Sequence, residues 1–122
     1  MAIGYASDTR TFYLSGGDVS YVLHVDAQGG LMNLYWGERI ADGSLRPALE
    51  NYPDNASFDL QANHLPWELP TRGSGWYGTP AVSAVNAAGD DVVALRYVSH
   101  EIYAGKRPLP GLPATYVYGI FS

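Results

Sequence analysis

The residue types most often recruited for catalysis are present in this sequence, but sparsely. Its three histidines, His24, His64 and His100, lie far apart, and no cysteine exists to complete a metal-binding set. Ser99-His100-Glu101 places the three residue types of a hydrolytic triad side by side. A triad is assembled in space, however, and neighbours along a strand point to opposite faces. A structural or solvent-facing role is the plainer reading of each histidine. Ser15 opens a glycine turn, with no base in sight to activate it. The sequence holds no Gly-x-Ser-x-Gly elbow, and Gly73-Ser74-Gly75 lacks the lysine and helix start of a phosphate loop. No metal site and no cofactor are expected.

Paired carboxylates are the remaining route to catalysis. Glycoside hydrolysis needs two, about 5–5.5 Å apart for retention or about 6.5–9.5 Å apart for inversion. Asp8 and Asp90-Asp91 sit in turn-like contexts and read as solvated turn residues, whereas Asp59 lies among apolar neighbours without an identifiable partner. No catalytic dyad is expected within the chain. The aromatic loop residues are more informative. Trp67 lies in Leu65-Pro66-Trp67-Glu68-Leu69-Pro70, and Trp76-Tyr77 lies in Gly75-Trp76-Tyr77-Gly78. Both connections are rich in proline or glycine. A flat apolar ring with a polar edge suits a protein interface and also the C–H face of a sugar. Trp67, Trp76 and Tyr77 are therefore the candidate substrate-binding residues, alongside two plainer roles: sealing the end of the fold or contacting a partner chain.

The elements that would position these residues are strands. Thr11-Phe12-Tyr13-Leu14 alternates and stops at Ser15-Gly16-Gly17-Asp18, where the glycines allow positive φ. Ser20 to Val25 places Tyr21, Leu23 and Val25 on one face, with Val22 and His24 on the other. Asp26-Ala27-Gln28-Gly29-Gly30 reads as a hairpin connection, and Leu31 to Trp36 returns with Met32, Leu34 and Trp36 on one apolar face. From Gly37 to Pro80 the prolines bias the chain away from helix, and only Ser57-Phe58-Asp59-Leu60 reads as a strand. A loop region this long inside a small chain is more often functional or partner-bound than idle. A second hairpin is expected from Ala81–Val85 through Asn86-Ala87-Ala88-Gly89-Asp90 into Val92–Tyr103, and a last strand from Thr115 to Phe121. The pattern predicts an all-β chain, part of an antiparallel β-sandwich with little or no helix. It excludes a doubly wound fold or a (β/α)₈ barrel. A strand running almost to Ser122 suggests a truncated larger β domain with exposed edges, and hence a homo-oligomer paired through strand edges; the alternative, on composition, is an ordinary C-terminal strand paired inside a small sandwich.

Composition agrees with a folded domain. The chain has 122 residues, of which 47% are hydrophobic, with a net charge of −5, and its seven basic residues form no stripe that could track a phosphate backbone. Nucleic acid is excluded as a partner. No long apolar run suggests a membrane span, and the Met1-Ala2-Ile3-Gly4 start lacks the features of a signal peptide, so cytoplasmic residence is the default expectation.

Several of these segments carry a family resemblance. Phe12-Tyr13-Leu14, Ser20-Tyr21-Val22-Leu23-His24-Val25, Gly29-Gly30-Leu31 and Leu34-Tyr35-Trp36-Gly37 resemble the start of α-galactosidases of glycoside hydrolase family 36. So do Leu69-Pro70, Gly73, Pro80-Ala81, Leu95-Arg96-Tyr97-Val98-Ser99-His100-Glu101-Ile102, Lys106 and Leu109-Pro110-Gly111-Leu112-Pro113-Ala114-Thr115-Tyr116. The Ser-His pair and Gly-Leu-Pro-Ala-Thr are the most specific. The resemblance implies enzymes that open with a β-supersandwich. A (β/α)₈ barrel with two catalytic aspartates and a small C-terminal β domain follow. Such enzymes cleave terminal α-galactosides of raffinose and melibiose type with retention and without a cofactor. This chain, residues 1–122, would then be one N-terminal β-sandwich segment of such an enzyme, apparently truncated, with neither catalytic aspartate.

Its implied role is structural, in assembly and at the rim of the active site. The partners would be the remainder of the α-galactosidase polypeptide and neighbouring subunits, with possible galactoside contact. In many tetrameric members an Asp-Phe-Arg in the loop after Leu-Pro reaches a neighbouring subunit's site. Trp76-Tyr77-Gly78 occupies that place here, so aromatic contact would replace charged contact. Tyr118-Gly119-Ile120-Phe121-Ser122 departs from the family pattern. The alternative is a free-standing carbohydrate-binding or interaction module using Trp67, Trp76 and Tyr77.

Overall fold

Strand β2 (Thr11–Gly16) opens with three buried residues, Thr11, Phe12 and Tyr13, and the sheet extends from it on both sides. On one side it pairs with β1 (Ala2–Ala6) and on the other with β3 (Val19–Val25), which in turn pairs with β4 (Leu31–Glu38). All three pairings are antiparallel, giving one four-stranded sheet in the order β1-β2-β3-β4. This computed structural model describes residues 2–44, 66–74, 78–105 and 107–113, and no residue among them is helical. The all-β reading holds. The expected strands 57–60 and 115–121 lie outside the described residues.

The turns follow from local chemistry. Gly17, at φ 57°, takes the first central position between the paired residues Gly16 and Val19, where positive φ is required. Only one of the two adjacent glycines uses its freedom. In the β3–β4 connection the Asp26 carboxylate accepts from the amides of Gln28 (2.9 Å) and Gly30 (2.7 Å), while Gly29 adopts φ 87°. Arg10 Nη1 donates to the Asp26 carbonyl at 3.0 Å, so this turn is also tied to the β1–β2 connection.

One irregularity rearranges the faces. Val22 is opposite Tyr35, but Leu23 is opposite Asn33, so Leu34 is an extra residue in β4. Such a β-bulge breaks the two-residue period. Met32 consequently shares a face with Val22 and His24, whereas Trp36 sits opposite Tyr21 on the other face. The expectation that Met32, Leu34 and Trp36 line one apolar face is corrected by this shift. Met32 is buried and Trp36 is 77% exposed.

Both faces of the sheet carry buried side chains. The first includes Thr11, Tyr13, Ser20, Val22 and Met32. Residues 39–44 return across it: the Ile40 amide donates to Ser20 Oγ at 3.0 Å, and the Asp42 carboxylate lies over Gly4. Across the second face runs the extended segment 92–103, joined by the Tyr97 amide to the Gly29 carbonyl at 2.8 Å. Its Tyr97 and His100 rings meet Tyr5 and Phe12 at centroid distances of 4.4–6.4 Å. His100 Nδ1 and Tyr97 OH are 2.7 Å apart, and the Arg10 guanidinium lies over the Tyr97 ring.

The second hairpin differs from expectation. Its turn forms: Asn86 Oδ1 accepts from the amides of Ala88 (2.9 Å) and Asp90 (3.0 Å), and Gly89 is at φ 87°. The flanks 81–85 and 91–103 form no strand ladder with each other; Val82 instead makes an isolated parallel bridge with Thr71. Residues 83–90 are exposed, and a two-stranded ribbon with both faces in water gains too little burial to hold its ladder.

Candidate functional site

Residues 66–74 hold the described candidate, Trp67. The Asn33 amide donates to the Pro66 carbonyl and the Glu68 amide to the Leu31 carbonyl, at 2.9 and 3.0 Å, so Trp67 bridges Met32 as a stub beside β4. Its indole Nε1 donates to the Ser74 carbonyl at 3.2 Å, and its ring lies against Gly30. A Cβ at Gly30 would meet the ring at 2.5 Å, so glycine is what admits the indole. Trp67 is thus half-buried, with its polar edge engaged. Trp76 and Tyr77 lie outside the described residues.

The end of this segment is fastened to the crossing chain. Thr71, itself 2% exposed, donates from Oγ1 to the Val93 carbonyl at 2.5 Å, and the Val93 amide donates to the Arg72 carbonyl at 3.2 Å. An Arg72–Asp91 ion pair at 2.6 Å covers the junction. Between the two segments lies an open cavity of about 260 Å³. Its walls are Leu31, Trp67, Leu69 and Leu95, with Thr71, Ser74, Arg96 and Tyr97. The Thr71 and Ser74 hydroxyls both donate to backbone carbonyls, and Arg96 Nη1 donates to the Gln28 carbonyl at 3.3 Å. Such a lining suits an apolar group; among the described residues it contains no carboxylate to act as acid or nucleophile.

A second polar cluster sits on the second sheet face. Tyr21 OH donates to Glu68 Oε1, and Asn33 Nδ2 donates to Glu68 Oε2 at 3.1 Å. Burial raises the Tyr21 phenol above its ordinary value, and the bond to Glu68 raises it further, against a smaller lowering from Asn33. The Tyr21 ring also meets Trp36 at 6.2 Å, nearly edge-on. Sequence reasoning missed this group, because it placed Tyr21 and Trp36 on the faces of a regular hairpin and linked neither to a polar partner. A proline-flanked Glu68 two strands away offers no pattern that would link it to them.

The other polar candidates do not converge. His24 faces Thr11, with Nδ1 and Oγ1 3.4 Å apart, and His100 pairs with Tyr97. Glu101 meets Arg107 at 3.7 Å rather than His100. His64 and Asp59 lie outside the described residues. Among the described residues no group of three or more His, Cys, Asp or Glu is placed to hold a metal ion. Among the described residues there is no helix long and apolar enough to cross a membrane.

Comparison with known proteins supplies the wider context. Residues 29–120 match the model of the glycosyl hydrolase family 36 N-terminal domain. The chain is 35% identical to alpha-galactosidase AgaA of Geobacillus stearothermophilus, over 96% of this chain and 17% of that protein. Among solved structures, the family 36 alpha-galactosidase AgaB of the same organism superposes with a TM-score of 0.76 at 38% identity, covering 98% of this chain and 17% of that one. The galactosidase domain of the alpha-galactosidase–sucrose kinase AgaSK gives 0.80 at 32% identity, covering 95% and 17%. The chain therefore spans about 17% of the length of these relatives.

Proposed function

This chain belongs to glycosyl hydrolase family 36 through its N-terminal domain, and on that premise we propose that it is a non-catalytic β-domain of an α-galactosidase acting on terminal α-galactosides of raffinose and melibiose type. Its role is to support assembly and to shape the rim of an active site supplied by the rest of such an enzyme and its neighbouring subunits. The observation that carries this reading is that 96–98% of the chain matches about 17% of the length of proteins that are α-galactosidases, together with the match of residues 29–120 to the family's N-terminal domain. The local geometry is in keeping with it. Trp67 is pinned at its indole N–H, and the cavity beside it has a lining suited to holding a loop. The 66–78 connection, with Trp67, Trp76 and Tyr77, is the part assigned to the rim, where the rings would lie along a galactoside or a neighbouring subunit.

The test is direct. Incubated alone with a chromogenic aryl α-galactoside, the 122-residue chain releases no dye above the buffer rate. Steady turnover that disappears when a carboxylate of this chain is replaced by its amide would falsify the assignment.

A further inference from the structure

The second sheet face is unevenly covered. Segment 92–103 lies over the Tyr5–Phe12 end, but among the described residues nothing covers the opposite end, where Trp36 is 77% exposed and Val19 46%. Beside the open indole sit three polar side chains on the same face, namely Tyr21, Asn33 and Glu68. The Glu68 carboxylate is held at both oxygens, by the Tyr21 hydroxyl and the Asn33 amide, which fixes its direction before any ligand arrives. Each carboxylate oxygen retains a further acceptor site, and Asn33, whose amide group is shared between Glu68 and Tyr21, retains its side-chain carbonyl. None of these takes a partner among the described residues.

We propose that this open end of the sheet is a hexopyranoside-binding platform, with Trp36 as the stacking surface and Glu68 and Asn33 as the groups that recognise hydroxyls. The chemistry selects this occupant. A pyranose has one face of C–H bonds that packs on an aromatic ring and a rim of hydroxyls that both donate and accept. A pre-oriented carboxylate beside an amide offers the complementary pair. A protein partner covering Trp36 would favour an apolar surround, because the cores of such interfaces are depleted in charged residues. The platform uses Trp36, Asn33 and Glu68 alone, and it stands whether or not the chain proves to be a rim domain of an α-galactosidase.

The experiment is a titration of the 122-residue chain with methyl α-galactoside and with raffinose, followed by the indole N–H and side-chain amide signals in ¹H–¹⁵N NMR. Saturable shifts of the Trp36 indole and the Asn33 amide are expected, at dissociation constants on the order of 1 mM. Trp36→Ala should weaken binding by about tenfold or more, and Tyr21→Phe, which frees Glu68 while sparing the stack, by roughly threefold. Since Trp36 is exposed, its replacement should leave the thermal transition near that of the parent; if it does not, Trp36→Tyr keeps an aromatic surface and should retain partial affinity. Absence of saturable shifts up to about 50 mM sugar, or binding unchanged in Trp36→Ala, overturns the proposal. So does burial of Trp36 in a self-contact that sugar fails to compete away.

Discussion

His24 illustrates how a single half-buried polar group sets a pH limit. Its pKa is lowered from the ordinary 6.5, chiefly by burial, against the partial support of the Thr9 carbonyl region and Asp26. The unfolded chain therefore binds a proton at higher pH than the folded one. Stability is complete above the ordinary imidazole range and declines as pH falls from there toward the depressed folded value. The melting temperature should fall between pH 8 and pH 5, and His24→Gln should flatten that slope; equal slopes in both proteins would exclude His24 as the cause. Residue identity alone made such roles only partly legible. Trp67 announced itself by its proline-flanked setting, yet that setting does not reveal that Ser74 already holds its N–H. Trp36 sat in an alternating run and read as core. The bulge at Leu34 breaks the alternation that would put Trp36 on the face of Met32, and no local pattern marks it.

At the scale of elements, two five-residue turns make a natural comparison. Asp26–Gly30 and Asn86–Asp90 share an Asx side chain accepting amides two and four residues on, with a glycine at φ 87° in the fourth place. Both were legible because their chemistry is contained within five residues. Whether flanking strands form depends on what covers them, which a short window of sequence does not contain. The first turn sits between buried strands and is bound by Arg10; the second stands in water. Asp26→Ala should therefore cost about 1–2 kcal/mol in urea unfolding and Asn86→Ala roughly 0.5 kcal/mol or less. Comparable costs for the two would show that the turns themselves, and not their surroundings, carry the stability.

For the molecule as a whole, β1 is the open boundary. Its five residues, Ala2-Ile3-Gly4-Tyr5-Ala6, carry no charge, proline or bulge, and its outer backbone groups find no partner among the described residues. Edges of this kind pair with other strands unless guarded. We expect self-association through β1, seen as a concentration-dependent rise in sedimentation coefficient, and its loss in the double variant Ala2→Lys/Ala6→Lys. A monomer at all concentrations would retire that expectation. The sheet's opposite side holds a subtler property, in the bulge of β4. Because Leu34 is supernumerary to the ladder, a chain one codon shorter there would keep every pairing from Leu31 to Glu38 and every inside-or-outside assignment. A codon lost from the bulge-free middle of β3 would instead invert half that strand. Tolerance to length change is thus concentrated at a single position, between the residue that anchors the core and the indole that faces solvent.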